Sequence, residues 1–245
     1  MYVTSGNGIF SNGNIDVAST QWKFEVKGLE ETVPTDIVSL PGGTLFTTIG
    51  DYDGFKYTDI NQYGQRYSPA MGTTTGIAYA GNNTNILARV GSKIYYSTDQ
   101  GVNWTATPTI NGSQGRITIS ADGSTILHSP NGTSTTYYSR NFGNTWTLSN
   151  NLTVSNAMPV ADMVNPNKIY VYNSGSGNVN VSNDGGINFA VTVNIGSGGS
   201  KIIRTVPGKE GHIWVAMYNG GLSVQLILAR ALQQLQVCKP VVLLV

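Results

Sequence analysis

Charge is scarce in this chain. Of 245 residues 11% are charged, and 14 Lys and Arg stand against 13 Asp and Glu, for a formal net charge of +1. A nucleic-acid partner would need clustered basic residues, and no basic stripe is present. Cysteine occurs once, which excludes an internal disulfide and any cysteine-based metal site. The two histidines, His128 and His212, are too few for a histidine cluster, and both fall in strand-like runs where packing accounts for them. No metal or cofactor is expected. No apolar run reaches the roughly 18 residues of a membrane-crossing helix, so no membrane partner is expected. No charged-then-apolar signal peptide opens the chain. Helix formers are sparse until the C-terminus. Glycine, by contrast, occurs 30 times among many Thr, Ser and Asn, a composition suited to short strands and tight turns.

Three stretches are near copies: Ser97–Trp104 (STDQGVNW), Ser139–Trp146 (SRNFGNTW) and Ser182–Phe189 (SNDGGINF). All fit S-x-[DN]-x-G-x-x-[WF], with serines 42 and 43 residues apart. A period of about 40–45 residues is a signature of propeller blades. Each copy reads as a hairpin turn. The side chains of Asp99, Asn141 and Asp184 can bond their own backbone. Gly101, Gly143 and Gly186 supply a positive φ. Ser97, Ser139 and Ser182 can hold the turn's other end. Trp104, Trp146 and Phe189 are large apolar anchors. Asn141 in place of Asp suits a turn and not a general acid, so these residues are read as structural.

The flanking runs fill out the blades. Ile77–Ala80, Ile86–Val90, Lys93–Ser97 and Trp104–Thr107 predict one four-stranded blade, and Arg116–Ser120, Thr125–His128, Thr136–Ser139 and Trp146–Leu148 the next. Val33–Leu40 and Thr44–Ile49 alternate around the turn Pro41-Gly42-Gly43. His212–Met217 begins another blade. Residues 1–22 read as the end of a blade, with Trp22 closing its hairpin as Trp104 does. The fold class expected is all-β: a β-propeller of four-stranded antiparallel blades, about five of them, forming an incomplete ring of a seven-bladed propeller across residues 1–222.

Residues 223–245 are atypical: from Val224 on there is no Gly, Asp, Asn, Thr or Trp. Leu226, Leu228, Leu232 and Leu235 partly fit a helical period. A slipped reading frame is the favoured alternative. One DNA permitted for Leu222 to Val245 reads, two bases later, LFRSINFGASFTTIAGVQASSFVG. That restores the repeat with its serine about one blade period after Ser182.

The repeat resembles the Asp-box of sialidases, sortilins and several propeller glycosidases, in which it lies away from the active site. GLEET at 28–32, PGG at 41–43 and IGDYDGF at 49–55 add a narrower resemblance, to the xyloglucan-active endoglucanases of glycoside hydrolase family 74. The resemblance covers roughly residues 1–60 specifically, at the start of that family's second propeller. It implies inverting hydrolysis of xylose-branched β-1,4-glucan by two Asp, one from each of two facing seven-bladed propellers. Asp51 falls on the second-propeller acid, with Asp53 as a local competitor. An inverting pair needs carboxyls roughly 6.5–9.5 Å apart. The aromatic residues Tyr52, Phe55, Tyr57, Tyr63 and Tyr67 follow the acid closely and are the candidate sugar surface; Trp214 and Tyr218 end a later strand. The expected partners are a polysaccharide and the missing first propeller, without which this chain is expected to be inactive. Xyloglucan places the parent protein outside the cell. A non-catalytic, sortilin-like propeller is the alternative reading, and a sialidase a more distant one.

Overall fold

The computed structural model describes residues 1–5, 8–25, 32–108, 110, 114–217, 221–228 and 231–234, the last two spans by backbone alone. It separates into two compact units, Met1–Pro34 and Thr35–Val245.

In the first unit, β1 (Tyr2–Ser5), β2 (Gly8–Ser11) and β3 (Lys23–Phe24) form an antiparallel sheet. The expected strand–turn–strand opening is present. Trp22 does not close it as expected: it is 43% exposed and precedes β3. No Ser-Asp-Gly turn leads into it. Instead the backbone bends on asparagine side chains, with Asn12 Oδ1 accepting from Asn14 N and Asn12 Nδ2 donating to Gln21 O.

Among the described residues the second unit holds five four-stranded antiparallel sheets in chain order. The first is β4 (Pro34–Ser39), β5 (Leu45–Ile49), β6 (Asp53–Tyr57) and β7 (Gln65–Arg66). Next come β8 (Thr74–Ala80), β9 (Asn83–Gly91), β10 (Ile94–Ser97) and β11 (Thr105–Ala106). The third is β12 (Arg116–Ile119), β13 (Ile126–Ser129), β14 (Tyr137–Ser139) and β15 (Thr147–Leu148). The fourth is β16 (Val160–Ala161), β17 (Ile169–Asn173), β18 (Asn178–Ser182) and β19 (Ala190–Asn194). The last is β20 (Ile203–Thr205), β21 (His212–Met217), β22 (Gly221–Leu228) and β23 (Ala231–Gln234). These are propeller blades, as expected. The helical reading of the tail is corrected: β22 pairs along all of β21, and β23 pairs with β22. Pairing satisfies the backbone of β21's open edge, which a helix would leave bare. Residues 235–245 lie outside the described residues.

Successive blades meet along their first strands. Threonine hydroxyls stitch them, a device with no signature in the repeat motif. Thr35 Oγ1 donates to Thr74 O (2.6 Å), Thr75 Oγ1 to Gly115 O (2.8 Å) and Thr205 Oγ1 to Ala161 O (3.0 Å), while Thr118 Oγ1 accepts from Ala161 N (3.0 Å). The first strands surround a cavity of about 260 Å³ lined by Thr35–Ser39, Ile77–Tyr79, Arg116–Ile119 and Ile202–Thr205 among others. Asp36 pairs there with Arg116 (3.6 Å) and Arg204 (3.1 Å), tying the first blade to the last.

The three repeats form the turns between third and fourth strands. In the first, Ser97 Oγ accepts from Gly101 N (2.8 Å), and Asp99 Oδ1 accepts from Ser97 Oγ (2.8 Å) and Asn103 N (2.8 Å). Ser139 with Asn141 and Ser182 with Asp184 repeat the pattern. Positive φ at Gly101 (+73°), Gly143 (+79°) and Gly186 (+88°) is one reason for glycine. Close packing on the preceding blade is another. A Cβ on Gly101 would lie 2.7 Å from Phe46, on Gly143 2.7 Å from Thr107 and on Gly186 2.5 Å from Leu127. Trp104 and Phe189 are buried and Trp146 is half-buried, each joining a core cluster.

Hydrogen bonds from the Asn103 N–H, the Asn103 amide and the Ser97 hydroxyl hold the Asp99 carboxyl down at about 2, against an ordinary 3.8. In Asp184 burial works against the charge, but the Asn188 N–H and amide and the Ser182 hydroxyl hold the carboxyl below its ordinary value. A lowered folded-state value stabilises above the unfolded value, and the contribution fades as pH falls through the folded one. Amides of the Asp99 turn should therefore lose exchange protection between about pH 4 and pH 2, those of the Asp184 turn on the acid side of its ordinary value, and those of the Asn141 turn not at all. Simultaneous loss at all three would contradict this.

Candidate active site

Antiparallel order puts the turn between second and third strands, and the connection to the next blade, at one end of every sheet. The Asp-box turns lie at the other. Asp51 therefore stands at the opposite end from Asp99, Asn141 and Asp184.

Its turn is tight. Tyr52 N donates to Gly50 O (2.9 Å) and Gly54 N to Tyr52 O (2.8 Å). The central residues of these two three-residue loops, Asp51 (φ 68°) and Asp53 (φ 65°), are both left-handed. Such γ-turns with positive φ are rare and strained, and strain of this kind clusters at functional sites. Gly54 follows at φ 143°, where a Cβ would lie 1.9 Å from Thr47 O. The Asp51 side chain is exposed, and its N–H donates to Thr73 Oγ1 (3.1 Å).

Asp53 turns the other way and is fully buried. Its N–H donates to Gly72 O (2.8 Å), and its Oδ1 accepts from Met71 N (2.6 Å). Arg89 Nη1 is 3.7 Å from Oδ1, and Arg66 Nη2 is 3.6 Å from Oδ2. Arg89 is itself fully buried, its guanidinium 5.0 Å from the ring centre of Tyr67, 4.7 Å from Tyr95 and 4.9 Å from Trp104. Arg89 Nη2 also donates to Pro69 O. Burial lowers the Arg89 pKa from its ordinary value, and Asp53 opposes that.

No family model matches the chain. It is 32% identical to a xyloglucanase of Paenibacillus sp. over 88% of its length, and 34% identical to the xyloglucanase Xgh74A of Acetivibrio thermocellus over 91%. It spans 23% and 28% of those relatives' lengths. Against the crystal structure of a GH74 enzyme from Niastella koreensis it superposes with a TM-score of 0.85 at 44% identity, covering 95% of this chain and 34% of that one. The chain belongs to glycoside hydrolase family 74.

In this family 74 segment the aromatic residues expected around the acid divide between two ends. Tyr52 is next to Asp51 and 41% exposed, with the Arg66 guanidinium 5.9 Å from its ring centre. Tyr57 ends β6, roughly 15 Å away at the strand rise, and Tyr63 lies beyond it on the exposed β6–β7 turn. Both belong to the Asp-box end. Phe55 is half-buried, in ring contact with Tyr57 (6.2 Å) and covered in part by Gly64. Tyr67 is buried, donating its hydroxyl to Thr47 O (2.7 Å), and burial pushes its pKa up. A sheet presents a strand's residues along its length, which proximity in sequence conceals. Trp214 is half-buried on β21; Tyr218 and residues 28–31 of GLEET lie outside the described residues.

Sequence reasoning missed Arg66 on β7, Thr73 in the β7–β8 connection and Arg89 on β9, which come from other segments of the chain and carry no local motif. Four of the described arginines converge in pairs, Arg66 with Arg89 on Asp53 and Arg116 with Arg204 on Asp36, and the fifth, Arg140, donates to Asp184 O, unlike the triad a sialidase needs. No group of three or more His, Cys, Asp or Glu among the described residues could hold a metal.

Proposed function

We propose that this chain supplies one half of an inverting xyloglucan hydrolase, with Asp51 as its general acid. The observation that carries the reading is the isolation of Asp51. At the turns and connections of its end of the five sheets, the described carboxylates are Asp51 and Asp53, and Asp53 is buried. Asp36, near the start of β4, is engaged by Arg116 and Arg204. An inverting pair needs a second carboxylate on the far side of a water, roughly 6.5–9.5 Å off. That base comes from outside the second unit, from the parent protein's first propeller facing this one, and the seven-bladed ring is completed by further blades. The names of the relatives support xyloglucan as substrate, and a polymer of that kind puts the parent protein outside the cell. Tyr52, backed by Arg66, offers a ring for a sugar face.

Titrating this chain with a xyloglucan oligosaccharide tests the reading. The amides of residues 50–52 and 72–73 should shift, with no sugar released by the chain alone. Shifts confined to the turns at 99–103 and 184–188 would overturn it.

A further inference from the structure

We propose that Asp53 and Arg89 are positioning residues that hold Asp51 in place from below; this rests on the reading of Asp51 as the acid. A buried ion pair is a poor way to add stability, because desolvating two charges offsets their attraction. What such a pair can supply is a specified local geometry. Here that geometry is two left-handed residues on either side of Tyr52, Asp51 and Asp53, a pairing the backbone would otherwise avoid. The pair gathers three segments of chain. Asp53 receives the Met71 N–H, Arg89 reaches the Pro69 carbonyl, and the same 69–73 segment offers Thr73 Oγ1 to the Asp51 N–H.

Arg89 is fixed in turn by its aromatic surround. One wall is Trp104, the anchor of the first Asp-box. The repeat at the remote end of the blade thus reaches the site through Trp104, Arg89 and Asp53. Asp53 is an anchor with no path to a glycan, which separates its role from that of Asp51.

The test is hydrogen exchange in the full chain, comparing wild type with the double variant Asp53→Asn, Arg89→Met. Removing both charges spares the fold the cost of one unpaired charge, and thermal melting checks this. The Asp51 and Tyr52 amides should exchange at least about tenfold faster, with the β5 amides and those of β6 from Phe55 onward unchanged. In a full-length xyloglucanase carrying this segment, the same variant should lower kcat with KM held. Turn amides at wild-type rates overturn the proposal. So does acceleration spread through β5 and β6, which marks a merely structural pair. Exchange needs no hydrolysis, so this result stands or falls separately from the assignment of Asp51 as the acid.

Discussion

Arg89→Ala should destabilise the second unit by about 3–5 kcal/mol, the cost of leaving one member of a buried pair without its partner. For a unit of this size that is a drop of roughly 10 °C in melting temperature. Two losses add. Asp53 stays behind, fully buried, facing Arg66 at 3.6 Å as its remaining cation. Three aromatic rings also lose a desolvated cation worth up to about 2 kcal/mol at one such contact. Arg66→Ala is the control. Its side chain is 50% exposed, and solvent screening holds the expected loss to about 1 kcal/mol or less. Equal, small losses for both variants would show that the buried pair is not a unit.

Asp51→Asn should leave stability within about 0.5 kcal/mol of wild type, as for surface changes generally. Asparagine tolerates the left-handed region at least as readily as aspartate, so φ 68° is kept. Within a full-length xyloglucanase the same change should lower kcat by about 10²–10⁴, the usual contribution of a positioned general acid. Asp51→Ala is the poorer probe, because it adds backbone strain to the lost carboxyl. Circular dichroism and melting of this chain, beside kinetics of the complete protein, separate the two effects.

The blades were legible in the sequence because an Asp-box is local. Ser97, Asp99 and Gly101 bond to one another within five residues, and so do their counterparts at 139 and 182. The turn that carries Asp51 at a strand end was legible through the run Gly50-Asp51-Tyr52-Asp53-Gly54-Phe55. What could not be read were contacts between segments. Arg89 is on β9, Asp53 opens β6 and Trp104 precedes β11, and only the pairing of strands and blades joins them. The aromatic run from Tyr52 to Tyr67 misled for the same reason. Five residues of β6 carry the chain from one end of the blade to the other, so neighbours in sequence end on opposite faces, and Tyr67 returns into the core. The tail misled because a leucine pattern fits two periods. Its backbone follows the open edge of β21 at 221–228.

The most direct measurement is the dependence of rate on the leaving group. A general acid matters most when the departing oxygen is a poor leaving group, and little when it leaves unaided. In a full-length xyloglucanase carrying Asp51→Asn, hydrolysis of the natural glycan should fall by about 10²–10⁴. Hydrolysis of an aryl xyloglucoside with an acidic phenol should stay close to the wild-type rate. Equal losses on both substrates would assign Asp51 to the base or to binding, and no loss on either would remove it from the chemistry.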